Sequence, residues 1–140
     1  MGKINLGRVV LGGLLAGLVV NIGEAVLHMV VIARQEEAAM LALNVPPIGS
    51  QAITGFVTLG FALGIAMVWV YAAIRTRFGP GVPTAVVAGV IVWFLSYAYP
   101  NAAMVIMDIF PANLIAVGTV WGLAEVVLAS IAGAWVYSEA

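Results

Sequence analysis

Four long, predominantly apolar stretches constrain this chain more than anything else in it. They run from about Ile4 to Ile32, Ala52 to Ile74, Thr84 to Met107 and Asn113 to Tyr137. A bilayer's hydrocarbon core, about 30 Å thick, is crossed by roughly 20 apolar residues in a helix, which satisfies its own backbone N–H and C=O groups. Each stretch is long enough for that. Charged residues make up 8% of the 140, against about 25% in a soluble domain. Such a chain cannot clothe a water-facing surface, so lipid is expected as solvent and partner. Soluble enzymes, nucleic-acid binders and disordered proteins are thereby excluded. A net charge of −1 gives no polyanion-binding field, and the absence of cysteine removes disulfides and thiolate metal sites.

The expected fold is all-α: a single transmembrane domain over residues 1–140, an up-down four-helix bundle with helices one and four packed together. A membrane β-barrel would need strands of alternating polarity, and Val86-Val87-Ala88-Gly89-Val90-Ile91-Val92 does not alternate. Lys3 and Arg8 before the first apolar run imitate a signal peptide. The run is too long for one and no small-x-small cleavage site comes after it, so an uncleaved helix is expected.

Lys3, Arg8, Arg75 and Arg77 fall on one side if every stretch crosses, and Arg34 alone on the other. The positive-inside rule then puts both termini in the cytoplasm of a bacterial inner membrane. Trp69, Tyr71, Trp135 and Tyr137 would lie at that interface, where amphipathic rings settle. Arg77-Phe78-Gly79-Pro80-Gly81-Val82-Pro83 reads as a tight turn, its arginines anchoring topology. Ala33 to Leu43 is rich in helix formers, and either extends helix one or lies flat at the interface before Pro46 and Pro47 break it.

Ionisable groups inside a span cost about 2.5–3.5 kcal/mol each on insertion scales and turn toward a partner or cavity. Glu24, His28 and Glu125 are the candidates. Gly13, Gly17, Asn21, Glu24 and His28 share one face of helix one; Gly118, Gly122, Glu125, Ala129 and Gly133 share one face of helix four. Small residues let helices approach closely, so these faces are expected to meet antiparallel. Setting Gly13 beside Gly133 brings Asn21 near Glu125, Glu24 near Gly122 and His28 near Gly118. Two close carboxylates cannot both ionise cheaply in low dielectric, so at least one is expected to hold a proton, with His28 as Glu24's partner.

Gly23-Glu24-Ala25-Val26-Leu27 also echoes Ala124-Glu125-Val126-Val127-Leu128, a hint of an inverted repeat. Helix three carries a softer stripe of Tyr97, Asn101, Met104 and Asp108, with Pro100 expected to kink it. Gly60 and Gly64 read as close packing within the bundle, homodimerisation being the alternative.

Several chemistries fit Asn21, Glu24, His28 and Glu125. The leading reading is a satisfied polar network in a non-enzymatic membrane protein, either a subunit of a larger membrane assembly or a homo-oligomer. A small proton- or cation-coupled translocator using Glu24, Glu125 and His28 is the alternative. A cofactor-holding subunit with His28 as ligand is a third, with the cofactor unknown and no metal assigned. No hydrolase, P-loop or Rossmann fingerprint is present, so catalysis is not expected.

Gly12-Gly13-Leu14-Leu15-Ala16-Gly17, the polar connector from Ala33 to Leu43, and the ending Gly133-Ala134-Trp135 together resemble small uncharacterised bacterial four-helix membrane proteins of the domain-of-unknown-function type. The resemblance spans most of the chain. It implies the fold and an inner-membrane address, and it carries over no functional residue.

Overall fold

A computed structural model describes residues 3–139. The helices are α1 (Leu6–Val26), α2 (Ala33–Ala42), α3 (Ser50–Phe78), α4 (Val82–Trp93), α5 (Tyr99–Ile106) and α6 (Ala112–Val136). Wide π-helical turns, Leu27–Val31 and Phe94–Ala98, extend α1 and join α4 to α5. No strand occurs among the described residues. Four helices are long and apolar enough to cross a membrane: Leu6–Val31, Ser50–Phe78, Val82–Ile106 and Ala112–Val136.

The ends are set by local chemistry. Asn5 caps α1 by accepting from the Arg8 N–H. The second span runs past the expected Ile74 to Phe78, because basic residues in a last turn suit the carboxyl end of the helix dipole, and Gly79 stops it at φ 85°. The connector settles as a separate helix. Ile32 (φ −115°) breaks the chain from span one, and Asn44 ends α2 in the left-handed region, with Val45 N–H donating back to Met40 O at 3.0 Å. Asp108 does the same after α5: its φ is 53°, and Ile109 N–H returns to Met104 O at 3.3 Å.

Two expectations about packing need correction. Gly13 and Gly17 do not face span four. A Cβ on either would fall on the α3 backbone at Ile65 or Phe61, and Gly64 closes the same seam. Gly12 is the residue that meets Gly133 across α1 and α6. The reason is the width of the small-residue surface on α1: with Gly12, Gly13, Ala16 and Gly17 all side-chain-poor, α1 seats two neighbours instead of one. Gly118 packs nothing, having no atom within 4 Å of a Cβ placed there, and Gly122 lies against the Tyr97 ring.

The aromatics also divide. Trp69 and Trp135 are exposed, but Tyr71 and Tyr137 are buried, edge to face at 6.0 Å, with the Arg75 guanidinium 5.9 and 5.2 Å from their ring centres. Tyr137 Oη accepts from Asn5 N–H and Tyr71 Oη from Gly81 N–H, while Arg75 pairs with Glu139 at 3.5 Å. These contacts tie the two ends of the chain and the Gly79–Gly81 turn into one closed end. The core lies in that half, around Ala16, Met67, Val68, Ala85, Val126 and Ala129. The opposite half, on the connector side, is loosely packed. No residue of α5, of α3 before Gly60 or of α6 before Gly122 is buried.

Candidate functional site

The polar groups meet where the closed half gives way to the open one. Glu125 sits midway along α6 and is only 6% exposed. Its carboxyl fits because Gly23 of α1 has no side chain; a Cβ there would coincide with it. The Trp121 indole N–H, one turn earlier on α6, points at both Glu125 Oε2 (3.3 Å) and Gly23 O (3.2 Å), fastening the acid to α1.

Tyr97 of the second π turn reaches between the acids. Its hydroxyl lies 2.5 Å from Glu24 Oε1 and 3.2 Å from Glu125 Oε1. Glu24 Oε2 meets His28 Nε2 at 3.0 Å, and His28 Nδ1 meets Glu36 Oε2 of α2 at 2.8 Å. The result is an unbroken series from the buried middle of the bundle to the connector: Glu125, Tyr97, Glu24, His28, Glu36. Exposure rises from the buried Glu125 through Glu24 (30%) to His28 (43%) and falls back to 22% at Glu36.

Counting hydrogens limits how the series can be loaded. A phenol has one O–H, so Tyr97 can donate to only one acid. If it donates to the nearer Glu24, the Glu125 contact is completed by a carboxyl proton of Glu125 donated to the phenol oxygen. His28 faces a carboxylate oxygen at each ring nitrogen, which calls for an imidazolium donating to both. With that loading every member is satisfied, and among the described residues no buried side-chain nitrogen or oxygen lacks a partner.

Both π turns belong to the site, since His28 and Tyr97 each lie in one. The backbone steps to an i→i−5 bond there, with Ile32 N–H donating to Leu27 O and Tyr99 N–H to Phe94 O. Such turns are rare and recur at functional positions. The second precedes Pro100, whose missing N–H cannot take the Ser96 carbonyl, so the expected kink takes the form of a widened turn.

Not every expected site residue joins. Glu24, His28 and Glu125 do. Asn21 instead faces α3, donating to Val57 O at 3.2 Å beside Gly60, because it is held on the α1–α3 seam. Asn101 donates to Thr119 Oγ1 at 2.8 Å, a separate tie between α5 and α6. Asp108 is a helix terminator outside the cluster, so the stripe of Tyr97, Asn101 and Asp108 is not one unit. Spacing arguments do not single out Trp121 or Glu36 as members. The i, i+4 relation of Trp121 to Glu125 is the available signal for the first; nothing local marks Glu36, which depends on how α2 folds back. Among the described residues no three His, Asp or Glu side chains are grouped to hold a metal ion, and both His28 nitrogens are engaged. No family model, curated protein or solved structure matches the chain.

Proposed function

We propose that this is a non-enzymatic inner-membrane protein, termini in the cytoplasm, that binds and releases protons through its buried acid pair as part of coupled translocation. The observation that carries this reading is the continuous hydrogen-bonded series of five titratable groups from Glu125 to Glu36. Titratable side chains aligned along a bundle interior are what a proton path requires, and each link here is within 3.2 Å. A network serving only to fix helix register has no need of a string that ends on a solvent-facing connector.

Infrared difference spectra of the reconstituted protein, taken between acid and alkaline buffer, test it. A titrating carboxylic C=O band should vanish in Glu125→Gln and shift in Tyr97→Phe. Proton-driven flux in liposomes should fall about a hundredfold in Glu24→Gln or Glu125→Gln. No titrating carboxyl sensitive to both Glu125 and Tyr97 would remove the proposal.

A second reading, an accessory subunit of a membrane assembly or a homo-oligomer, draws on the connector-side halves of α3 and α6 and on α5, in which no residue is fully buried within this chain. Both readings are compatible with one protein, since a proton-handling subunit can dock through those faces.

A further inference from the structure

We infer that in this conformation the buried acid exchanges protons with the side of the membrane bearing α2, the other side gaining access only when the tied terminal half rearranges, and that Glu36 is the group that collects them. This rests on the proton-handling reading above and adds a direction and an uptake residue to it.

The first support is asymmetry around Glu125. Toward the connector it faces Tyr97, then Glu24, His28 and Glu36 in succession. Toward the termini the next turns of α6 present Val126 and Ala129, both 0% exposed, and then Gly133, closed by Val68 of α3 and Ala16 of α1. The one hydroxyl there, Ser130 Oγ, is committed to Ala85 O at 2.7 Å. Some 12 residues of helix, about 18 Å, separate Glu125 from Tyr137, the next titratable group along its own helix.

The second support is the position of Glu36. It is partly accessible, lies on a helix outside the spans and is hydrogen-bonded to the outermost member of the series. The groups facing His28 are Glu24 from α1 and Glu36 from α2. Those facing Glu125 are Tyr97 from the π turn beside α4, Trp121 from its own helix and the Glu24 carboxyl of α1, which lies against it directly as well as through Tyr97.

Uptake balances proton by proton. It begins with Glu125 ionised, Tyr97 donating to it, His28 neutral with its hydrogen on Nε2, and a proton on Glu36. Glu36 passes its proton to His28 Nδ1, and His28 gives up its Nε2 proton to Glu24. The Glu24 carboxyl, protonated on the oxygen that faces His28, turns to present that proton to Tyr97 and donates to the phenol oxygen as Tyr97 yields its own hydrogen to Glu125 Oε1. Glu36 has then lost one proton and Glu125 has gained one. The imidazole, left with its hydrogen on Nδ1, is reset by a hydronium ion of the solvent, which protonates Nε2 and leaves as water; this restores the fully satisfied loading described above, and it is the proton bound for Glu125 that passes through Glu36. Release is the reverse.

The test uses the full chain in proteoliposomes sorted by orientation, with the Glu125 carboxyl band monitored after a pH jump applied to one face. The band should respond promptly to a jump on the connector face and at least about tenfold more slowly to one on the terminal face. Glu36→Gln should slow the connector-face response about tenfold without moving its end point. Glu37→Gln, a neighbour on the exposed face of α2, should leave it unchanged. Equal responses from both faces, an unaffected rate in Glu36→Gln, or equal slowing by Glu37→Gln would each overturn the inference while leaving proton binding intact. A Glu125 band that responds to neither face would overturn both this and the proposed function.

Discussion

A Cβ on Gly23 would occupy the space of the Glu125 carboxyl, so the smallest residue on this part of α1 and the most buried acid on α6 define each other. Gly23→Ala must therefore expel the acid or part the helices, at a cost of about 1–3 kcal/mol in the range seen for overpacking. Glu125→Ala should restore most of that loss in the double variant, because it empties the contested space. Denaturant titration of the four proteins in micelles measures the coupling, and additive losses would contradict the contact. Gly118→Ala gives the opposite expectation. Nothing lies within 4 Å of the added methyl and the helix interior favours alanine, so stability should hold or rise by up to about 1 kcal/mol. Spacing alone puts Gly13, Gly17, Gly118 and Gly133 in one class, yet they have different neighbours. It assigns a glycine its face, but not which helix lies opposite or whether any does.

At the scale of elements, the two π turns convert ordinary helices into carriers of the site. Each widened turn rotates the downstream segment relative to a regular α-helix, and His28 and Tyr97 sit within the shift. Pro100→Ala restores a backbone donor to Ser96 O and permits a regular turn, which would swing Tyr97 away from Glu24 and Glu125. The variant should remain folded, since a proline in a helix interior is itself costly, yet reproduce the infrared change of Tyr97→Phe. A wild-type spectrum in Pro100→Ala would show that Tyr97 is held by packing against Gly122 alone. Pro100 announces a disturbance in helix three from the sequence. That its product joins the Glu24 and Glu125 stripes through one tyrosine is not legible there, because a proline fixes where a helix is disturbed but not how far the next residues turn.

For the molecule as a whole, a tightly tied end and a loosely packed end arise from where small side chains and polar ties are concentrated. The terminal half is locked by Tyr71, Tyr137, Arg75 and Glu139, while the connector half has little buried apolar contact. Amide exchange should accordingly be slow in Ala62–Ala72 of α3 and fast in Gln51–Leu59, a difference that uniform protection along α3 would contradict. The proposed orientation is checked with the chain's lack of cysteine. In intact cells an impermeant thiol reagent should label Glu37→Cys and spare Ser138→Cys; the reverse pattern would invert the topology and with it the side from which protons are drawn.

The sequence by itself determined the solvent, the helical class, the four spans to within a few residues and the three ionisable groups that must be kept from lipid. Those emerge from composition and periodicity along one chain, where the cost of exposing a backbone or a charge to hydrocarbon leaves few solutions. Tertiary structure alone decided that α1 divides its small residues between α3 and α6, that Tyr97 bridges the two acids and that Glu36 closes the series. Each of these depends on rotations of separate helices about their own axes, set by how side chains interlock across a seam, and a linear pattern does not encode an angle between two cylinders.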